Sequence, residues 1–267
     1  MYRNLKKRLD IVLTEKNLFQ SREKAKASIM AGLVYVDGQR VDKPGTPVKD
    51  TAEITIKESL CPYVSRGGLK LEKALEMFDF TLEGTTAVDI GASTGGFTDC
   101  MLQNGAKKVF AIDVGYGQLD WKLRNDSRVI NMEKVNIRYL DTDTVDKDID
   151  FISIDVSFIS LKLVFPVASQ LLSESGSIVC LVKPQFEAGR NQVGKKGIVR
   201  DPEVHKEVIK NVAEYAYNNG FYCHGLTFSP VTGTKGNIEY LMFLKKTPYD
   251  GDIDIDGTVK CSHEELV

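Results

Sequence analysis

Apolar positions in the first sixty residues follow two spacings in turn. Leu9, Val12, Leu13 and Leu18 fall close to a helical period and predict a helix within residues 6–18. Ser21 is a capping residue type, and Ala25, Ile29 and Met30 mark one face of a second helix, Arg22 to Ala31, stopped by Gly32. Leu33-Val-Tyr-Val-Asp-Gly-Gln-Arg-Val then alternates as two short strands about an Asp37-Gly38 turn. Pro44 and Pro47 interrupt the pattern, and Ala52-Glu-Ile-Thr-Ile-Lys resumes it as a strand. Residues 58–65, which contain Pro62, read as a linker.

A different rhythm begins at Arg66-Gly-Gly-Leu-Lys-Leu, which opens a helix to about Phe78. Apolar runs predict strands near 86–91, 108–113, 128–132, 149–156 and 177–183, with a helix at roughly 160–172 between the last two. A long amphipathic helix over about 202–218 starts at Asp201-Pro202, a suitable cap and first-position pair. Strands 221–228 and 239–245 follow, joined by a Pro/Gly/Thr-rich turn at 229–237. This alternation predicts an α/β domain on a largely parallel sheet, behind a small α+β module. Its first strand stops at Gly91, and Gly95-Gly96 opens a helix through Gln103. Strand, glycine turn and helix N-terminus are the first unit of a Rossmann-like sheet, with a ligand crevice at the strand's carboxyl end. Residues 248–267 hold six acids and one lysine and alternate weakly, so a loose tail is expected there. The expected domains are thus 1–57, 66–247 and a tail at 248–267.

Composition changes this picture little, and charge changes it more. The apolar content of 42% suits a soluble globular chain, and no apolar run is long enough to span a membrane. The basic opening Met-Tyr-Arg-Asn-Leu-Lys-Lys-Arg lacks the apolar core of a signal peptide. Cys61, Cys100, Cys180, Cys223 and Cys261 are odd in number and without C-x-x-C spacing, which predicts neither disulfides nor zinc and points to a reducing cytoplasm. His205, His224 and His263 form no cluster, so no metal is expected. The net charge of −2 conceals an asymmetry. Residues 1–70 hold 14 Lys+Arg against 8 Asp+Glu, and residues 71–267 hold 21 against 29. A basic module on an acidic domain predicts a polyanion partner for the first.

The glycine turn does not follow the dinucleotide pattern G-x-G-x-x-G, because Ser93 stands where the second glycine belongs. Asp113, at the end of the next strand, can accept from ribose hydroxyls, which suits more than one nucleotide cofactor. Four further residues sit at strand ends or on the helix leading there: Lys70, Asp155, Lys183 and Glu239. A lysine at the buried end of an apolar strand is costly unless paired, and the carboxylates can supply its partners.

Asp89-x-Gly91-x-x-x-Gly95-Gly96 resembles motif I of S-adenosylmethionine (SAM) methyltransferases. That resemblance implies a cofactor site at Asp89, Gly91, Ala92, Ser93, Thr94, Gly95, Gly96, Phe97, Asp113 and Asp155. The adenine position falls loosely on Asn136, in Val135-Asn-Ile-Arg. Residues 6–57, with Ser21-Arg22 before a helix and Ala31-Gly-Leu-Val-Tyr-Val-Asp-Gly after it, resemble the S4-type RNA-binding domain. Arg22, Lys24 and Lys26 would then face RNA phosphates. Lys70, Asp155, Lys183 and Glu239, in this order and interleaved with motif I, are similar to the set of FtsJ-type ribose 2′-O-methyltransferases. The chain from about 6 to 246 resembles the TlyA family of ribosomal RNA methyltransferases, whose members often carry the label hemolysin. The resemblance implies a class I methyltransferase sheet of seven strands with the last antiparallel, and rRNA or ribosomal subunits as partner. It also implies methylation of cytidine in small- or large-subunit rRNA. Lys183 would be the base, Asp155 and Glu239 its orienting groups, and Lys70 a positioning cation. Arg66 and the glycine-rich basic stretch with Arg190, Lys195, Lys196 and Arg200 would grip RNA. A non-catalytic RNA-binding factor is the competing expectation, and the intact four-residue set argues against it. A cytolysin would need an export signal or a long apolar amphipathic helix, and neither is legible.

Overall fold

The computed structural model describes residues 6–19, 21–30, 32–57, 61–189 and 191–266. The chain divides into two compact units, Met1–Pro62 and Tyr63–Val267. The first contains β1 (Lys6–Arg8), α1 (Leu9–Glu15), α2 (Arg22–Met30), β2 (Val34–Val36), β3 (Gln39–Arg40), β4 (Pro47–Lys49) and β5 (Ile54–Ile56). The helix expected over 6–18 is therefore shorter. Lys6, Lys7 and Arg8 have no apolar face to bury and instead pair antiparallel with Pro47–Lys49. Pro47 opens that strand, a position that tolerates its missing N–H. Asp37 and Gly38 both take positive φ, 49° and 77°, as a two-residue primed hairpin turn requires. Leu9, Val12, Leu13, Ala25, Ile29, Val34 and Val48 form the core of this unit. Ala31 and residues 58–60 of the expected linker lie outside the described residues.

The second unit carries α3 (Gly67–Met77), β6 (Thr86–Ile90), α4 (Gly96–Gln103), β7 (Lys108–Asp113), α5 (Trp121–Arg124), β8 (Val129–Glu133), β9 (Ile149–Ile154) and α6 (Phe165–Leu171). It continues with β10 (Leu172–Val182), α7 (Pro184–Glu187), α8 (Pro202–Tyr217), β11 (Tyr222–Phe228), β12 (Tyr240–Lys245) and α9 (Ile255–Leu266). Seven strands form one sheet in the order β11-β12-β10-β9-β6-β7-β8, and β12 alone runs antiparallel to its neighbours. The sheet and its antiparallel last strand are those the sequence predicts. Every residue of β6 is buried, as a strand covered on both faces must be. One apolar cluster contains Ile90, Ile112, Ile154, Ile209 and Tyr240, and the other contains Leu71, Met101, Phe151 and Leu241. Asp201 accepts from Glu203 N at 3.0 Å and caps α8 ahead of Pro202, as expected.

The loose acidic tail is a correction. Residues 255–266 form a helix that lies against α8 and β11, with Val259 and Ser262 fully buried. Its first turn is closed by Asp254, which accepts from Gly257 N at 2.8 Å. Ser262 Oγ lies 3.0 Å from Tyr240 Oη, and Lys206 Nζ pairs with Asp256 at 2.8 Å. Much of this docking is polar, so the apolar period that marks a helix is faint. No described helix is long and apolar enough to cross a membrane.

Candidate active site

The carboxyl ends of β6, β9 and β10 open onto a cavity of about 760 Å³. Gly91 follows β6 with φ +88°, and a Cβ there would stand 2.5 Å from the Asp155 carbonyl oxygen. Glycine is therefore required both by conformation and by the approach of the chain after β9. Gly91 N and Ala92 N donate to Ile112 O at 2.8 and 3.1 Å, which fixes the turn beside β7. Gly95, with φ +92°, leads into α4 and backs onto Leu119 and Leu123. A Cβ on Gly96 would meet Ser65 Oγ at 2.3 Å, so close packing excludes a side chain there too. Ser93 N donates to Asp113 Oδ2 at 2.8 Å, and Gly115 N to its Oδ1 at 2.7 Å.

Beside this turn, two lysines share one carboxylate. Lys183 Nζ pairs with Asp155 Oδ1 and donates to Val156 O at 2.9 Å and Ser157 Oγ at 3.2 Å. Lys70 Nζ donates to Asp155 Oδ2 at 3.4 Å and to Glu239 Oε2 at 2.8 Å. Gln185 Nε2 donates to Glu239 Oε1 at 3.1 Å. Lys70, Lys183 and Glu239 are buried, so each of these charges depends on the others. Burial pushes the Lys70 ammonium down, but Asp155 and Glu239 outweigh it and hold its pKa above the ordinary lysine value. Burial likewise pushes the Asp155 carboxyl up, and the two lysines reverse that to a net lowering. Lys70 is thus held as a cation and Asp155 as an anion.

Of the residues the sequence singles out, Arg66, Lys70, Gly91, Ala92, Ser93, Thr94, Gly96, Phe97, Asp155, Lys183 and Glu239 line this cavity. Asp113 does not line it and reaches it only through Ser93. Asp89 is a correction to the expected cofactor contact. It lies one residue inside the end of β6, fully buried, and accepts from Thr98 Oγ1 at 2.7 Å and Ser153 Oγ at 2.9 Å. It joins β6, β9 and α4 beneath the turn, and burial pushes its carboxyl up to about 6. Asn136, on which the adenine position loosely falls, does not line this cavity either. Its Oδ1 accepts from Arg138 N at 3.1 Å and caps a short 3-10 turn, with the side chain exposed and away from the cavity.

Among the basic residues, Arg22 donates to Asp10 at 2.9 Å, and Arg8 joins the same buried carboxylate at 3.0 and 3.1 Å. Arg8, with Arg22, holds the Asp10 carboxyl down at about 2 against its burial. Both guanidinium groups remain about half exposed, so the shared carboxylate fixes them side by side facing solvent. Lys26 lies 3.8 Å from Glu23. The Lys24 side chain and Arg190 lie outside the described residues. Lys195, Lys196 and Arg200 are exposed and outside the cavity wall. Their segment is pinned to the turn before β12: Lys235 Nζ donates to Lys196 O at 2.9 Å, and Asn237 Nδ2 to Gly197 O at 3.0 Å.

Sequence reasoning missed Gln185, Phe158 and Phe186. Phe158 has φ +63°, rare for a bulky residue, and its 91% exposed ring leans on Phe186 with centroids 4.9 Å apart. An exposed aromatic in a strained loop has no periodic signal, although its position three residues after Asp155 could have suggested it.

By sequence, residues 63–246 match the FtsJ-like methyltransferase family and residues 7–54 the S4 domain. The chain is 54% identical over 240 residues to a presumed rRNA methyltransferase, YqxC, of Bacillus subtilis, covering 90% of this chain and 85% of the other. It is 41% identical over 260 residues to the 16S/23S rRNA (cytidine-2′-O)-methyltransferase TlyA of Mycobacterium tuberculosis, covering 97% of each. A solved structure of a presumed hemolysin from Streptococcus thermophilus superposes with a TM-score of 0.77 at 49% identity, covering 98% of this chain and 97% of that one.

Proposed function

From a chain that belongs to the TlyA family of FtsJ-like methyltransferases, we infer an enzyme that methylates ribose 2′-hydroxyls of ribosomal RNA, at cytidine, with SAM as donor. The observation that carries this reading is Asp155 held between Lys70 and Lys183 in the same cavity as the glycine turn that starts at Gly91, which packs against the Asp155 backbone.

The turn fits the cofactor in two respects. Gly91 and Gly96 bring backbone to the cavity wall where the packing leaves no room for a Cβ, and Asp113 keeps lone pairs free beyond its two N–H partners to accept from ribose hydroxyls. When bound, SAM supplies an electrophilic methyl group on a cationic sulfonium. The chain's own residues handle the nucleophile. A ribose hydroxyl is a weak acid and must lose its proton as its oxygen attacks, and we assign that proton to Lys183 Nζ. To act as the base, Lys183 must offer the hydroxyl a free lone pair on Nζ. Its three acceptors, Asp155, Val156 O and Ser157 Oγ, match the three hydrogens of an ammonium, and substrate entry has to displace one of them. Lys70, held charged, positions Asp155 and Glu239 and balances their charge.

The substrate we propose is rRNA within ribosomal subunits in the cytoplasm, gripped by the basic first unit through Arg8 and Arg22, and by Arg66 at the cavity rim. The test is to map 2′-O-methylation on rRNA from cells with and without this protein. A cytidine that loses its methyl in the deleted strain and regains it on incubation of the subunits with protein and SAM supports the reading. Identical maps would refute it.

A further inference from the structure

Among the described residues, two side-chain polar atoms are buried without a hydrogen-bond partner, and one of them is Oε1 of Gln185, a residue that lines the active-site cavity. The orientation of its amide is settled by Glu239. Gln185 Nε2 donates to Glu239 Oε1 at 3.1 Å, and a flipped amide would set an oxygen against that carboxylate. Oε1 is therefore an acceptor that the fold leaves without a donor, a state that costs free energy unless a ligand supplies one.

The ligand is indicated by what surrounds this oxygen. Gln185, Phe158 and Phe186 line both the active-site cavity and an adjoining one of about 470 Å³, otherwise walled by Ile159, Ala188 and Val193. Its other polar side chain, Ser160, is committed to Glu187 at 2.6 Å. Two aromatic rings, an aliphatic wall and one unfilled acceptor suit a flipped-out nucleobase that stacks on carbon and presents one N–H. Cytosine presents an amine at C4, where uracil presents an oxygen.

We propose that Gln185 Oε1 accepts from the exocyclic amine of the target cytosine and so makes the enzyme select cytidine over uridine. This rests on the rRNA methyltransferase reading above and adds the residue that chooses the base. Uracil would set its O4 against Oε1, two acceptors facing one another, and would leave the amide oxygen unfilled.

The test compares single-turnover methylation of three RNAs that carry cytidine, uridine or the pyrimidin-2-one ribonucleoside at the methylated position. The last lacks the amine and adds no bulk. The intact protein should lose about tenfold on pyrimidin-2-one, the worth of one hydrogen bond with a buried partner left empty, and at least as much on uridine. Gln185→Met removes the acceptor and nearly keeps the side-chain length. It should methylate all three RNAs within about twofold of one another, at roughly the rate of the intact protein on pyrimidin-2-one. SAM affinity and melting temperature close to those of the intact protein would establish that the variant is folded. Equal rates of the intact protein on cytidine and pyrimidin-2-one overturn the proposal without reference to any variant. So does a Gln185→Met enzyme that is slower by one factor on all three RNAs, which would assign Gln185 to orienting Glu239. Failure of the intact protein to methylate any of the three would instead defeat the methyltransferase reading beneath it.

Discussion

Lys70 Nζ stands 2.8 Å from Glu239 Oε2, an ion pair closed between residues 169 apart in sequence. It joins the helix that enters the second unit to the residue just before its last strand, and both side chains are nearly excluded from solvent. Removing one member of such a pair costs far more than the pair contributes, because the other charge is left buried alone. Lys70→Met should therefore destabilise the fold by about 3–5 kcal/mol as well as abolish methyl transfer. Lys70→Arg, which keeps the charge, should retain measurable activity. Denaturant melts alongside single-turnover assays decide this, and a Lys70→Met enzyme of full stability would contradict it.

Gly91 faces an immovable neighbour. A side chain there would meet the Asp155 carbonyl, backbone of the segment that carries the carboxylate shared by Lys70 and Lys183, and the residue would have to keep φ +88°. Gly91→Val should abolish SAM binding by displacing both walls of the cavity at once. Calorimetry that finds unchanged SAM affinity in this variant would remove the turn from the cofactor site.

The arginine pair on Asp10 should carry salt-dependent RNA affinity. Each phosphate that a cation neutralises adds roughly 0.7–0.9 to the slope of log affinity against log salt. Arg8→Ala and Arg22→Ala should each reduce the slope by about one such increment, and the double variant by about two. SAM affinity should not change. Filter binding to ribosomal subunits at several salt concentrations measures this, and parallel slopes for all variants would place RNA elsewhere.

Asp89 predicts a pH signature. Its carboxyl has a folded value of about 6 against a reference of 3.8. Between those values the folded chain binds the extra proton, so this group subtracts stability as pH rises through the window, by roughly 3 kcal/mol in total. Asp89→Asn cannot titrate. Its unfolding free energy relative to the natural chain should therefore climb from pH 4 to about pH 6.5 and then level off. A difference that stays flat across that range would mean that Asp89 is ionised throughout.

The parts of this molecule legible in the sequence are those whose physics is periodic or terminal. β6 reads as a buried strand because a parallel sheet covers both faces. Gly91, Lys183 and Asp155 could be singled out because they stand where apolar runs end. Glu239 and Lys70 were legible by position, although their pairing was not, since nothing in the sequence states which strand neighbours which. Gln185 escaped because its significance is an unfilled hydrogen bond, visible only once Glu239 is seen to fix its amide. Helix α9 escaped for a related reason. It is anchored through Tyr240, Ser262 and Lys206, and an acidic segment with few large apolar residues looks like a tail until its polar partners are known. An asparagine after a strand suits a local cap as well as a ligand, and the cap is the contact Asn136 makes.

The sharpest prediction concerns Lys183. Asp155 touches both lysines, but Lys70 is additionally bound by Glu239 and held above the ordinary lysine value, so it is the poorer candidate to release a proton. Lys183 has neutral acceptors, Val156 O and Ser157 Oγ, for two of its three hydrogens, and either is more easily exchanged for a substrate hydroxyl than a carboxylate is. Lys183→Ala should eliminate methyl transfer and leave SAM binding nearly intact, because the base acts on the nucleophile. Lys183→Arg should be almost as inactive, since a guanidinium does not give up its proton at neutral pH. Single-turnover transfer to ribosomal subunits by the two variants, with SAM affinity measured in parallel, separates the roles. If Lys183→Arg turns over at a substantial fraction of the natural rate, Lys183 acts only as a cation, and the proton leaves by water or through Asp155.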